Sequence, residues 1–510
     1  MTYDVIIVGA GSAGGVLAAR LSEDPDRSVL LVEAGPDYPD FATLPDELKI
    51  GLGTGHMNLV SLAHNWDYPA KGSALGGELR VPAGKVTGGS SAINGQLWIR
   101  GLPADYDRWA EEGNDLWSYE QLLPYFKRSE NDLDRSGEYH GKGGPITNYH
   151  CDKDTWLPTT TAFAEACVAA GYKEFTDANS PDSNGVGPCP YNNPGKIRIS
   201  TSLGYLAPAR ERPNLTIMPE ALVHRVVFEG RRAVGVEVER DGDVEVLGGA
   251  EVIVSAGAMG SPQVLLRSGV GPAEELTEVG IPVVHDLPGV GRNLMDHTAI
   301  SITYRTVPEV QPGPDDPYGQ AFLRYTSKSA RYETDMFIRL VQVEDTLTFF
   351  TGTYAPLTTG SVRVRSADPR VDPIIDFRYL SDPFDLERVV ETVRLSVALA
   401  EHPSMAEYLR ERLVPVDDAA LASDAALAEW ILRNIDSAKH ITSSCRMGPA
   451  SDPGAVVDQY GRVHGVAGLR VIDASVMPRP TRGNTNATTI AIAERMSDLI
   501  KGGDTGHVPA

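Results

Sequence analysis

The sequence predicts a mixed α/β fold: a parallel-sheet unit assembled from distant pieces of chain, joined to a second lobe built on antiparallel strands. Three observations predict it. Residues 5–8 (VIIV) form a short apolar run that ends in a glycine-rich turn, followed by a helical stretch at 16–21 and a second apolar run, VLLV at 29–32. Further buried-strand runs come much later, at 215–218, 252–255 and 469–472, so the sheet begun at the N-terminus is completed from far along the chain. Between 300 and 450, alternating runs such as Ser361-Val362-Arg363-Val364-Arg365 mix with amphipathic helical patterns at 386–399 and 425–435. The chain is therefore expected to divide into a discontinuous first domain (1–154, 211–299 and 451–510) and a second domain (155–210 and 300–450).

The bulk numbers bound what such a protein does. A chain of 510 residues is too long for one simple core. A hydrophobic content of 42% and a charged content of 23% are ordinary for a globular protein. The formal net charge of −23 argues against nucleic acid and anionic membranes as partners, because both require a basic face. No apolar run is long enough for a membrane span. The first strand starts by Tyr3, which leaves no room for a signal peptide, so a cytoplasmic location is expected. The four cysteines form no CxxC pair and read as reduced, partly buried thiols. The histidines show no HxH or HExxH grouping, so no metal is expected. Residues 502–506 (GGDTG) read as a frayed tail.

The first turn carries the clearest chemistry. In Gly9-Ala10-Gly11-Ser12-Ala13-Gly14, Gly9 permits a turn that a side chain would block. Gly11 lets the backbone approach a pyrophosphate, and Gly14 lets the following helix pack tightly on the sheet. The helix N-terminus offers free N–H groups and a partial positive charge to phosphates. Glu33 ends the second strand, about 20 residues past the last glycine, where an acid hydrogen-bonds the ribose hydroxyls of an adenosine. Together these predict a Rossmann-like dinucleotide site.

Later clusters extend it. Gly84-Lys85-Val86-Thr87-Gly88-Gly89-Ser90-Ser91-Ala92-Ile93-Asn94 concentrates N–H and O–H donors suited to a pyrophosphate or the polar edge of a large cofactor. A hairpin is expected from 223–228 and 233–238, joined at 229–232. Gly257 to Gly271 contains Ser261-Pro262, which reads as a helix start with a capping hydroxyl, and Gly269 and Gly271 end that helix. Pro288 to His297 follows. The C-terminal fifth holds His440 to Gly448, Asp473 to Pro478, and Gly483-Asn484-Thr485-Asn486.

These clusters resemble the glucose–methanol–choline (GMC) oxidoreductases, flavoenzymes that oxidise alcohols with FAD. The resemblance runs from about residue 3 to 502. Its two signature segments fall at 84–107 and 257–271, with Trp98, Gly101 and Asp107 in place and Thr87 standing where a larger apolar residue is usual. It implies a Rossmann-like FAD-binding domain and an antiparallel-sheet substrate domain. It makes His440 the catalytic base and Asn484 its partner, the His–Asn branch shared with aryl-alcohol and hydroxymethylfurfural oxidases; choline-type dehydrogenases are also similar. FAD is expected against Gly9, Gly11, Ser12, Ala13, Gly14, Glu33, Val86, Gly89, Ser90, Asn94, Gly95, Val223, Asp473, Ala474 and Asn486. Asp473 also reads as the cap of a short turn. Ser443-Ser444 replace a common Gly-Thr.

The implied chemistry explains these residue types. An alcohol hydroxyl is a weak acid, so a positioned base must take its proton while the carbon-bound hydrogen leaves as hydride to flavin N5. Histidine titrates near neutrality and suits the task. A helix expected from about 485 to 500 would aim its positive end at the ring. Two departures bear on substrate. Choline-oxidising relatives tether FAD through a histidine where this chain has Ile93, so non-covalent FAD is expected. They carry a carboxylate where this chain has Ala299, which makes choline a poor candidate. Phe337, Phe349, Phe350 and Tyr354 could line a pocket for an aryl or furanic alcohol, or serve as ordinary core. The expected partners are a small-molecule alcohol, aryl, furanic or polyol-like, and oxygen or another electron acceptor. A flavin-containing lyase of the hydroxynitrile-lyase type, a choline-type dehydrogenase and a flavin protein without turnover are the other readings.

Overall fold

In the computed structural model, which describes residues 2–51, 63–313, 316–413 and 416–502, β1 (Thr2–Val8) and β2 (Val29–Val32) pair in parallel, Val5 opposite Val29 through Val8 opposite Val32. The aliphatic residues of both runs are buried, as a central parallel strand covered on two faces requires. Leu215–Met218 pairs outside β2. On the other side, the C-terminal half of Asp243–Val254 pairs with β1, and Leu469–Val471 lies beyond it. All five are parallel, and the late apolar runs are the strands that complete the sheet.

The N-terminal half of Asp243–Val254 leaves the parallel ladder and pairs antiparallel with Arg232–Arg240, which pairs in turn with Ala221–Glu229. Gly248 sits where the two ladders meet, opposite both Thr2 and Gly235. Helix α1 (Gly14–Leu21) packs on β1 and β2, and the C-terminal helix Thr485–Lys501 packs on α1. An Arg20–Glu494 ion pair at 2.8 Å fastens them.

The helix expected to start at Ser261-Pro262 starts earlier. It spans Gly257–Arg267 with Pro262 inside it, beginning on Gly257 at φ +80°. Proline has no N–H to give the carbonyl four residues back. That carbonyl, of Ala258, instead accepts a hydrogen bond from Ser444 Oγ at 2.5 Å. The outside donor lets the helix run through the proline and ties it to the segment that follows His440.

The second sheet is antiparallel, with strands in the order Leu409–Arg412, Thr298–Thr306, Thr346–Thr353, Met336–Val343, Ala321–Tyr325, Gly185–Pro188. The helix Pro383–Glu401 covers one face, and its Val389 and Val393 share a core with Ile302, Ile338, Leu347 and Phe349. Phe163 and Cys167 of Pro158–Ala169 join that core. So does a hairpin from the N-terminal third, Tyr68–Lys71 and Glu78–Val81, which shares a small sheet with Ser361–Arg363 and Ile374–Asp376. Tyr205, Leu206 and Ala209 pack instead into the core of the parallel sheet. The 425–435 pattern is the helix Asp424–Asn434. All four cysteines are free and fully buried, beyond the partial burial expected. No helix among the described residues is long and apolar enough to cross a membrane. Apart from Gly502, the expected tail lies outside the described residues.

Candidate active site

A cavity of about 800 Å³ opens at the carboxyl ends of the parallel strands, where α/β sheets bind ligands. One wall is the first glycine turn, the loop 82–97 and the strand ends at Val8, Val32 and Ser255; the opposite wall is the second sheet. Of the residues expected to bind a dinucleotide, Gly9, Gly11, Ser12, Ala13, Glu33, Gly89, Ser90, Asn94, Gly95, Val223, Asp473, Ala474 and Asn486 line it. Gly14 and Val86 do not. A Cβ on Gly14 would sit 1.8 Å from the Gly9 carbonyl oxygen, so that glycine serves helix–strand packing. Val86 is buried against Leu48, Ala92 and Ile93.

The donors suit a pyrophosphate. A Cβ on Gly89 would lie 2.6 Å from Gly11 Cα, so the two glycine loops touch backbone to backbone. Two helix N-termini reach the same cavity, α1 through Gly11 to Ala13 and the C-terminal helix through Asn484 to Asn486. Neither has a side-chain cap or an acidic residue in its first turn, so the positive end of each dipole is left for a ligand. Ser12 Oγ donates to Asn486 Oδ1 at 2.8 Å and joins them.

The two acids behave differently from each other. Glu33 accepts from the N–H groups of Ala10 (2.9 Å) and Gly35 (2.8 Å). Burial nevertheless pushes its pKa up to about 7. A carboxylate has about four lone-pair sites, so acceptor capacity remains for ribose hydroxyls. Asp473 is committed to its own chain. It accepts from Gly257 N–H (2.8 Å), Ser261 Oγ (2.5 Å) and Ser475 N–H (2.8 Å), capping the turn Ala474–Val476 and holding the start of the Gly257–Arg267 helix. Ser261 thus bonds Asp473, while its Oγ also accepts from Ala256 N–H, inside rather than ahead of its helix.

His440 and Asn484 meet on the cavity wall, with Asn484 Nδ2 2.9 Å from His440 Nε2. Asn484 is the N-cap residue of the C-terminal helix, yet its side chain makes no cap and reaches the imidazole instead. The other face of the ring meets a residue that spacing gave no reason to single out: His297 Nδ1 lies 3.0 Å from His440 Nδ1, with the rings edge-to-face at 5.1 Å. The neighbouring Asp296 holds the backbone. Its Oδ1 accepts from His440 N–H at 2.8 Å, and its Oδ2 from Ser437 Oγ (2.5 Å) and Tyr379 Oη (2.6 Å). Lys439 at φ +66° and Ser443 at φ +72° bracket the histidine in left-handed conformations. At Ser443 a glycine would adopt this freely, whereas serine holds it at a cost. Burial depresses both histidines, His297 to about 3 and His440 well below 6.5, with His297, Arg339 and Lys439 adding to the effect on His440.

The four aromatic residues divide. Phe350 lines the cavity. Phe349 is core, edge-on to Phe163 and Tyr304. Phe337 and Tyr354 stack at 4.5 Å in a cluster with Ala299 and Ala438. Trp66, Tyr68 and Tyr318 reach the wall from outside the motifs. A second cluster missed by spacing lies away from it: Asp132, His140 and His150 place ligand-type atoms within 4.8 Å of one another. His140 contacts Glu130 (3.1 Å), Asp132 (3.0 Å) and Asp177 (2.8 Å), and these bonds outweigh burial and lift its pKa to about 10. It is an imidazolium held by carboxylates.

Comparison with known proteins agrees with this geometry. Residues 3–299 and 356–493 match the N- and C-terminal profiles described as GMC oxidoreductase. An oxygen-dependent choline dehydrogenase of Chromohalobacter salexigens is 40% identical over 98% of this chain and 95% of its own. Among solved structures, pyridoxine 4-oxidase from Mesorbium loti has a TM-score of 0.90 at 30% identity, covering 99% of this chain and 100% of its own. An FAD-dependent oxidoreductase from Chaetomium thermophilum has a TM-score of 0.89 at 25% identity, with coverage of 99% and 100%.

Proposed function

Because the chain belongs to the GMC oxidoreductase family, and so is an oxidoreductase of the alcohol CH–OH group, we propose that it oxidises a primary alcohol with FAD held non-covalently in this cavity and His440 as base. The observation that carries the reading is the His440–Asn484 pair at 2.9 Å, standing at a helix N-terminus beside the dinucleotide cradle. FAD supplies the hydride acceptor when bound. The residues do the rest. The glycine loops and the N-terminus of α1 bind the pyrophosphate, and Glu33 takes the ribose.

His440 Nε2 faces the substrate hydroxyl and takes its proton. The low pKa keeps the imidazole unprotonated at neutral pH but also makes it a weak base. Charge growing on the alcohol oxygen therefore needs help, which the fixed helix dipole provides, joined by the Asn484 amide once the substrate hydroxyl takes its place at His440 Nε2. Ile93, 7% exposed on the cavity wall, offers no atom for a covalent tether. Oxygen is the acceptor we assign, since the choline dehydrogenase relatives are called oxygen-dependent.

The test is anaerobic addition of alcohols to the yellow protein. Bleaching demonstrates hydride transfer, and peroxide on admitting air identifies oxygen as acceptor. A pigment that stays oxidised with every alcohol while mandelonitrile disappears would replace this reading with a lyase.

A further inference from the structure

The second-sheet wall of the cavity carries a cation with no counter-ion. Across three neighbouring strands, Ser301 lies opposite Phe350, and Phe350 opposite Arg339. All three line the cavity. The guanidinium carbon of Arg339 is 5.3 Å from the ring centre of Tyr318 and 5.5 Å from that of Phe350. Its Nε is buried and makes no hydrogen bond. The neighbours that interact with its charge are Tyr318, Tyr191, Cys189 and Tyr354, all neutral at pH 7.

Several buried arginines have carboxylate or carbonyl partners, although among the described residues fully buried Arg324 donates only to the Ala178 carbonyl. Arg388 pairs with Asp335 at 2.8 Å, Arg482 with Asp105 at 2.6 Å, and Arg198 donates to three backbone carbonyls. Among the described residues Arg339 has no such partner. Lys439 and Asp436, also on this wall, engage each other at 3.4 Å, so Asp436 is occupied. Arg339 and His440 line the same cavity, and the guanidinium charge adds to the forces that keep the imidazole unprotonated.

A half-buried cation that faces the cavity with no carboxylate beside it gains from a ligand anion placed there. We propose that Arg339 is a specificity-determining residue that receives a carboxylate on the substrate, so that the preferred alcohol is a hydroxymethyl aryl or furan carboxylic acid rather than a neutral or ammonium-bearing one. The proposal rests on the alcohol-oxidation reading and names its substrate class. The planar guanidinium donates two parallel N–H bonds to a carboxylate, and Tyr318 and Phe350 flank the ring that joins carboxylate to hydroxymethyl group. A trimethylammonium group would meet like charge.

Three matched probes test this on the holoenzyme under anaerobic conditions: 4-(hydroxymethyl)benzoate, 4-methylbenzyl alcohol and 4-(hydroxymethyl)phenyltrimethylammonium. The carboxylate is expected to reduce the flavin with at least about tenfold higher kcat/KM than the neutral probe, and the cation to be poorest. Arg339→Gln is expected to raise KM for the carboxylate roughly 10- to 100-fold while leaving the neutral probe within about threefold, and Arg339→Lys to recover part of the loss. Wild-type preference for the neutral or cationic probe overturns the proposal. So does an Arg339→Gln variant that loses all probes equally, which would mean that the cation serves the cofactor. A variant that does not fold leaves the wild-type order decisive. If no alcohol bleaches the flavin, the alcohol-oxidation reading fails separately, and benzoate against benzamide, titrated by flavin absorbance, decides the anion site: tighter benzoate supports it, equal binding overturns it.

Discussion

Replacing His297 by leucine probes the proposed base through the residue behind it. The two Nδ1 atoms are 3.0 Å apart and His297 is fully buried, with a pKa near 3, so at working pH both rings are neutral. Two neutral nitrogens that close share one proton. If Asn484 Nδ2 donates to His440 Nε2, that nitrogen holds a lone pair and the proton sits on His440 Nδ1, donated to His297. The opposite amide orientation puts the proton on Nε2 and leaves no lone pair toward the cavity, which is incompatible with proton abstraction. His297 therefore selects the productive tautomer by accepting at Nδ1. Leucine cannot accept, and an unsatisfied buried donor costs about 1–3 kcal/mol. That cost falls on the productive tautomer, so flavin reduction should slow roughly 10- to 100-fold. The assay is single-turnover reduction at saturating alcohol, with KM read separately, since a positioning loss moves the rate more than binding. His297→Gln, whose side-chain oxygen can accept, should recover part of the rate. Reduction by the leucine variant within about twofold of wild type would refute the tautomer argument.

Other outcomes follow from the same geometry. His440→Ala should keep its yellow colour and lose at least about 10²-fold in flavin reduction; near-normal reduction removes His440 from the base role. The acid limb of that reaction should lie well below pH 6.5, because burial favours the neutral ring; a limb at or above 6.5 contradicts a buried neutral base. Acid precipitation should release free FAD to the supernatant, whereas colour retained in the pellet demonstrates a covalent link. Stability should peak near neutrality. His140, raised to about 10, contributes in full below about pH 6.5 and loses its contribution as pH rises to about 10, while Glu130, Asp132 and Asp177, held below their ordinary values, lose theirs in acid. His140→Gln should flatten the alkaline limb and cost about 3–5 kcal/mol at neutral pH, by leaving buried carboxylates unpaired; an alkaline limb parallel to wild type contradicts this.

The cofactor side of the cavity was legible because backbone constraints leave marks in sequence. Gly9 at φ +100° and Gly89 against Gly11 admit no side chain, and apolar runs buried on both faces write themselves as VIIV and VLLV. Side-chain partnerships leave no such mark. His297 and His440 are 143 positions apart, and nothing local announces that their rings touch. The same holds for Asp132, His140 and His150: strand pairing brings the segments of Asp132 and His150 together, and His140 comes from the connection between them. Ser261-Pro262 misled because a proline normally marks a first turn; the donor that excuses it, Ser444 Oγ, comes from 186 positions away. Phe349 and Phe350 differ by one position, and the two-residue period of a strand sends one to the core and the other to the cavity. The alternation was readable, but not which face was which.

That split between the walls bears on what identity to the choline dehydrogenases conveys. The residues argued to bind the dinucleotide and move the proton come from the glycine turns and from the C-terminal segment. In the proposed reading the substrate meets the second sheet. There Ala299, where choline-oxidising relatives carry a carboxylate, is 1% exposed and packed with Phe337, Tyr354 and Ala438. No negative charge from that position can face a trimethylammonium group, while Arg339 presents a positive one from the same sheet. On the proposed reading, two charge changes in one direction, an acid absent and a cation without a counter-ion, reverse the electrostatic preference of the pocket, and the same cation also helps to keep the His440 ring unprotonated. A chain 40% identical to a choline dehydrogenase can therefore keep the reaction and exchange the substrate, because few side chains on one sheet face decide the second.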